Sequence, residues 1–288
     1  MEATPADLRD FGGGEPRELR GPSAIGSAGW WRFFRLLWIT ARAEFQLKYE
    51  QPILGYAWSL LGPLLLAGVL YLAFTRFIKF GGDIPNYPLL LIMNIMFFEF
   101  FRSGVGRGVT SFLRKQNLTR KVEFPLLAVP LSSVLAELIT LMFNMVVVFS
   151  LFLIFGVGAL VTWLLFPVTV ALLAIISGTG ALLLGSLYIR IRDLAEIWSP
   201  FARVLFYASP TLIPVEFYPP QWHFILYFNP LAPVFAQARV WFVDPSAPTY
   251  ADAVGGEIYL LIPLGVLLIA LVCGIVAFRR LARRGAEM

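Results

Sequence analysis

The chain has 288 residues, 58% of them hydrophobic and 14% charged, with a mean hydropathy of +0.75 and a formal net charge of +5. An average soluble domain carries roughly 25% charged residues, so this composition excludes an ordinary soluble protein and describes a polytopic membrane protein. One Cys and one His exclude a disulfide framework and a His/Cys metal cluster, and make redox chemistry a poor reading; no metal site is expected.

Residues 1–29 are rich in Gly, Pro and charge and lack the unbroken apolar stretch of a signal peptide, so they read as a disordered cytoplasmic tail. The next segment, 30–50, opens with WWRFFRLLWITARAEFQLKY and is too charged to cross a bilayer. At 100° per residue, Arg32, Arg35, Arg42 and Gln46 fall within roughly 80° of arc, with Trp31, Phe34, Leu37, Trp38, Ala41 and Phe45 on the other side. That pattern predicts an amphipathic helix lying in the cytoplasmic interface, with Glu44 and Lys48 intruding at its apolar edge.

Crossing ~30 Å of hydrocarbon takes about 20 apolar residues. Six stretches qualify, near 53–75, 88–107, 126–155, 159–188, 196–215 and 258–278. The fold class is therefore all-α, with six transmembrane helices in a domain covering 51–280 and a short cytoplasmic tail at 281–288. Glu99, Asn94, Glu137, Asn144 and Arg203 fall at membrane depth, where polar groups are costly and ordinarily face the bundle interior or a cavity.

Two connecting segments stand out. Between the second and third spans, Arg114, Lys115, Arg120 and Lys121 stand directly ahead of Glu123, Phe124 and Pro125. Between the fifth and sixth, residues 219–243 contain two apolar pieces too short to cross, punctuated by Pro219, Pro220, Pro230 and Pro233. These pieces predict two re-entrant helices, whose polar backbone at that depth needs protein or water around it.

Orientation follows from the bases, because loops on the cytoplasmic side retain Lys and Arg. With both termini inside, all of the 23 Lys and Arg except Arg76, Lys79, Arg203 and Arg239 lie in cytoplasmic segments. The net positive charge thus reports topology, and nucleic acid is not an expected partner. No GxxxxGK[ST] loop, Gly-x-Ser-x-Gly elbow or His-Glu-x-x-His helix is present. A membrane glycosyltransferase would want clustered acids, whereas the closest inner-face pair, Asp193 and Glu196, sits beside Arg190 and Arg192 as a salt-bridged span end. Transport is the leading function, powered from elsewhere, and the chain is not expected to be an enzyme.

Four stretches carry a family resemblance: LKYEQPILGYAWSLLGPLLL (47–66), RKVEFPLLAVPLSSVL (120–135), YIRIRDLAEIWSPFARVLFYASPTLIP (188–214) and FNPLAPVFAQAR (228–239). In that order they resemble the type 2 ABC export permeases that move lipid-linked polysaccharides, including the O-antigen, capsule and teichoic-acid exporters. The resemblance covers about residues 30 to 280 and implies a homodimer of permeases paired with two nucleotide-binding ATPase chains. ATP and Mg would bind on those partners, and this chain would bind no cofactor. It implies location in the bacterial inner membrane, in contact with membrane lipid, with a lipid-linked glycan as substrate.

The same resemblance makes residues near 113–124 a coupling helix docked in an ATPase groove, with Phe124 as apolar anchor. The helix at Arg32, Arg35, Arg42 and Lys48 would cradle the ATPase. The lipid diphosphate would enter between the first and fifth spans, near Arg42, Lys48 and Arg203. Tunnels in that family are aromatic-lined, which nominates Trp58, Phe97, Phe98, Phe101, Trp198 and Tyr207 for the substrate path. Trp222, Phe228, Asn229 and Pro230 would narrow the external mouth as a gate. An exporter of a small lipid or drug on the same fold, and a membrane glycosyl- or acyltransferase, are the alternative readings.

Overall fold

The computed structural model describes residues 27–49, 55–79, 84–115, 127–158 and 161–285. Among these residues the chain is helical and contains no strand. The first helix, α1 (Ser27–Tyr49), is followed by α2 (Gly55–Leu72), which carries Pro63 in its interior and ends in a π-helical turn, Ala73–Phe77. Lys79 and Asn86, both at positive φ, flank the passage into α3 (Tyr87–Arg114). Next come α4 (Ala128–Ile154) and α5 (Phe166–Tyr188), the latter entered through a 3₁₀ turn at Val161–Leu165.

Helix α3 is the axis of the bundle, packed chiefly against α4 and α5. Its buried residues include Leu91, Met93, Met96, Phe97, Val105 and Val109. Without a hydrophobic drive between helices in lipid, close backbone approach takes over, and small residues make it possible. Gly104 and Gly108 on α3 face Ser177, Ala181 and Gly185 on α5. A Cβ built at Gly108 runs into the Cβ of Ala181 and lies 3.2 Å from its Cα, and one at Gly185 lies 3.1 Å from the carbonyl oxygen of Gly108.

Among the described residues, five helices are long and apolar enough to cross a membrane: Gly55–Phe77, Tyr87–Phe112, Ala128–Ile154, Val161–Tyr188 and Glu257–Arg280. The expected fifth span, 196–215, forms a helix only as α6 (Leu194–Ala208), which is 15 residues long. The reason is local. Ser209 precedes Pro210 and is driven out of the helical region to φ −93°, ψ 155°. The chain then continues through turns and 3₁₀ segments (Val215–Phe217 and Pro220–Trp222) into α7 (His223–Tyr227) and α8 (Leu231–Phe242).

A short α9 (Tyr250–Val254) begins with a capping box between Thr249 and Asp252 and ends on Gly255 at φ 95°. After a 3₁₀ turn at Glu257–Leu260, α10 (Leu261–Gly285) packs on α5, where Gly274 approaches Leu183. The opposite side of α10 exposes Leu264, Leu268, Ile269 and Val272, and α2 likewise exposes Leu61, Leu65, Leu66, Val69 and Leu72. Such apolar faces suit hydrocarbon or a second protein surface.

Candidate functional site

The polar residues of α3 and α4 fall at helical spacing. Glu99, Ser103 and Arg107 follow one another four apart on α3, and Glu137, Thr140 and Asn144 share a face of α4. Because α3 and α4 pack side by side, the two stripes meet, and α1 supplies their partners.

Glu137 is 3% exposed and receives two cations. Lys48 of α1 reaches its Oε2 at 2.8 Å, and Arg107 of α3 brings Nε to 2.7 Å from Oε1. Beside this junction, Tyr49 and Thr140 share a hydrogen bond of 3.3 Å, and the Tyr56 hydroxyl donates to Asn144 Oδ1 at 3.0 Å. Farther along α3, Arg102 donates through both arms of its guanidinium to Glu99, at 2.6 and 2.9 Å, and Ser103 adds a donation at 2.7 Å. A cavity of about 420 Å³ opens between α2, α3 and α4. Lys48, Arg102, Arg107, Glu99 and Glu137 line its charged part, and Leu66, Ile95, Met96 and Leu141 its apolar part.

A second junction lies about two turns farther along, just past the end of α3. Lys115 is buried and ion-pairs with Glu44 of α1, while also donating to Ser132 Oγ at 2.6 Å and the Val129 carbonyl at 3.1 Å. Ser133 donates to the same carboxylate at 2.9 Å. Burial holds the Lys115 ammonium below its ordinary value, with Glu44 opposing that shift. Glu44 and Lys48, one turn apart, thus engage α3 and α4 with opposite charges.

This arrangement changes several expectations. Lys115, anticipated as a base offered to a cytoplasmic partner, points into the protein, and Lys48 and Glu44 form polar seams with α3 and α4 instead of an awkward apolar edge. Ala41 is fully buried and Phe45 stacks on Phe143 between those seams, whereas Trp31, Phe34 and Trp38 are exposed, as are Arg32, Arg35 and Arg42. Arg114 is exposed and donates to the Arg107 carbonyl at 2.8 Å. Arg120, Lys121, Glu123, Phe124 and Pro125 lie outside the described residues.

The aromatic candidates divide in two. Phe97, Phe98, Phe101 and Trp198 are buried inside the single chain, and Phe101 also lines a second cavity of about 420 Å³ with Ile176, Phe201 and Phe228. Phe98 packs edge-on against Phe206 at 5.1 Å and Phe101 against Trp198 at 5.8 Å, and the Trp198 indole donates to the Arg102 carbonyl at 3.0 Å. The close approach of Trp198 to Gly106, within 3.0 Å of a Cβ built there, shows why a glycine stands at that turn of α3. Trp58, Arg203 and Tyr207 are exposed, Trp58 at the rim of the charged cavity.

The 219–243 region folds as two short helices, as the prolines suggest, and is strapped to its surroundings by hydrogen bonds. Asn229 is buried, donates to Ser209 Oγ at 2.7 Å and accepts from the Leu231 amide at 3.0 Å, so it fixes the turn at Pro230. Tyr218 donates to the Ser209 carbonyl at 3.1 Å and Tyr250 to the Leu226 carbonyl at 3.2 Å. Burial pushes both phenols up to about 12, which keeps them protonated donors. Arg239 pairs with Glu216. Trp222 and Phe228 remain exposed.

In the sequence, Arg102 and Arg107 mark only which side of the membrane their segment faces. The available signal was their register with Glu99 and Ser103, which places them along a face of α3 opposite the Glu137 stripe of α4.

Apolar helices of spanning length, gathered on a central helix and enclosing a charged cavity, describe a multi-pass membrane protein. The chain belongs to the ABC-2 type transporter family, which matches residues 35–243. It is 27% identical over 212 residues to the O-antigen export system permease protein RfbA of Klebsiella pneumoniae, across 73% of this chain and 81% of that protein. A second K. pneumoniae protein of the same name is 26% identical with the same coverage. The Myxococcus xanthus protein of that name is 30% identical over 185 residues, across 63% of this chain and 69% of its own length.

Proposed function

We propose that this chain is the membrane subunit of an ATP-driven exporter of a lipid-linked polysaccharide. The observation that carries the reading is the ABC-2 match over residues 35–243, which contains both charged junctions, the cavity and the strapped helices α7 and α8. Similarity to three O-antigen export permeases supports a polysaccharide cargo.

In this reading two copies pair in the bacterial inner membrane with two ATPase subunits, which hold the ATP and Mg. Both termini are cytoplasmic, and α6 with the turns after it serves as the shortened fifth of six membrane segments. The segment near 113–124, including Arg120, Lys121, Glu123, Phe124 and Pro125, receives the motion of the ATPase. The junctions at Lys115–Glu44 and Lys48–Glu137 give that motion a physical route, because they join α1, α3 and α4 next to that segment. Helices α7 and α8, with Trp222, Phe228, Asn229 and Pro230, form the external gate. Trp58, Tyr207 and Arg203 are the exposed members of the substrate path, which forms between two copies.

Affinity purification of the tagged full-length chain from native membranes in mild detergent tests the partnership. Recovery of a Walker-type ATPase at one copy per permease is the expected result. Repeated recovery without any ATPase overturns the reading.

A further inference from the structure

The second cavity, of about 420 Å³, lies between α3, α5, α6, α7 and α10 and shares no lining residue with the charged one. Phe101, Ile176, Leu205, Phe228, Leu231 and Leu267 form its apolar wall, and among the described residues no charged side chain lines it. An apolar cavity of about 150 Å³ already holds a benzene ring, and small-molecule sites are typically apolar hollows of roughly 300–1,000 Å³ with a few fixed polar groups. Phe201, Phe224 and Phe228 belong to the lining and are 55%, 52% and 63% exposed, so the cavity is open on their side. Its other walls include α5 and α10, both long and apolar enough to span a bilayer, so a ligand reaches the opening from hydrocarbon.

Two polar side chains, Asn229 and Thr179, join the lining, and they differ. Asn229 is committed, donating to Ser209 Oγ and accepting from the Leu231 amide. Thr179 of α5 is buried, and its Oγ1 has no hydrogen-bond partner among the described residues. A hydroxyl inside a helix can bond to the carbonyl one turn back, as Ser150 does with Val146 at 2.7 Å; Thr179 does not. A buried polar group left unpaired is costly, so this oxygen marks a place for one polar atom of a ligand. A hydrocarbon alone would fill the wall and leave the hydroxyl unpaired. A charged headgroup would find no counter-charge, and a lone water needs two to four partners where the lining has one uncommitted hydroxyl.

We infer that this cavity binds an uncharged aliphatic alcohol drawn from the bilayer, its chain against the apolar wall and its hydroxyl hydrogen-bonded to Thr179 Oγ1. The site stands on the cavity and on Thr179, and it holds whether or not the chain exports a glycan.

The experiment photolabels the full-length chain in mild detergent with 3-azioctanol and maps the adducts by mass spectrometry. Saturable adducts are expected within residues 201–208, 224–231 or 266–270, displaced by octanol and not by octanoate at neutral pH. Thr179→Val keeps the shape of the side chain and removes only the unpaired hydroxyl, so the fold is retained. It is expected to raise about tenfold the azioctanol concentration that half-saturates labelling, because the alcohol is then buried without a partner. The inhibition constant of octane, which makes no hydrogen bond, is expected to stay the same in that variant. A loss confined to the hydroxyl-bearing ligand is a result that misfolding does not produce. Ala270→Phe fills the cavity and is expected to abolish the adducts. Adducts found only elsewhere overturn the inference, as does their absence because a second copy of the chain covers the opening. Displacement by octanoate as effective as that by octanol overturns it too. So does a Thr179→Val variant that shifts azioctanol and octane equally or shifts neither, or undiminished labelling of Ala270→Phe.

Discussion

Lys48 on α1 and Glu137 on α4 meet at 2.8 Å, although 89 residues separate them in sequence, and the carboxylate they share with Arg107 is 3% exposed. Removing one side of a buried ion pair leaves the other uncompensated, which costs about 3–5 kcal/mol. Glu137→Ala strands two cations and is expected to lower the detergent melting temperature sharply. Lys48→Met leaves Glu137 with Arg107 and is expected to lose distinctly less. Thermal unfolding of both variants checks the ordering, and a double variant costing less than the sum of the two shows the coupling.

At the crossing of α3 and α5, Gly108 has no room for a side chain because Ala181 occupies the space. Gly108→Val is expected to destabilise the chain by about 1–3 kcal/mol through overpacking. The milder Gly108→Ala should be largely rescued by Ala181→Gly, which clears the facing methyl. Failure of that rescue in thermal unfolding would place the strain elsewhere.

The junction of Lys115 with Glu44 should leave a signature in pH. Burial lowers the Lys115 value in the folded chain below 10.5, so the unfolded chain binds its proton more readily. By linkage, stability rises with pH between the lowered folded value and 10.5, as the penalty for holding a buried ammonium is relieved. The Glu44→Gln, Lys115→Met double variant removes the group and is expected to lose that alkaline rise. Melting curves at several pH values, compared between wild type and double variant, measure the slope directly.

Asn229 serves both the Ser209 hydroxyl and the Leu231 amide. Asn229→Ala leaves the buried Leu231 amide without its side-chain partner and the Ser209 hydroxyl with only its bond to the Leu205 carbonyl, at about 1–3 kcal/mol. If α7 and α8 form the external gate, the loss should also loosen it. Ion flux into vesicles carrying the variant is expected to exceed that of wild type, and equal flux would remove Asn229 from the gate.

Much of the helical architecture is legible in the sequence because span length and proline punctuation are local properties. The break of α6 at Ser209 shows the limit. Pro210 and Pro214 are visible, yet apolar composition extends the span to 215 while the backbone leaves the helix at 208. The charged site is harder to read. Glu137 and Asn144 are conspicuous at membrane depth, but Arg107 and Lys48 read as ordinary flanking bases until folding joins α1, α3 and α4. For the aromatics, composition alone does not separate Trp58, at the cavity rim, from Phe97 and Trp198, which face inward. That division depends on how α3 and α6 are rotated, which only packing determines.

The most direct measurement of the central claim is depletion of this chain in its own cell, with surface polysaccharide and lipid-linked precursor quantified together. Loss of the surface glycan with accumulation of its lipid-linked form on the cytoplasmic face is the expected result, restored by wild type and not by Glu137→Ala. Surface glycan that persists, or that disappears without accumulation of the precursor, would contradict an export role.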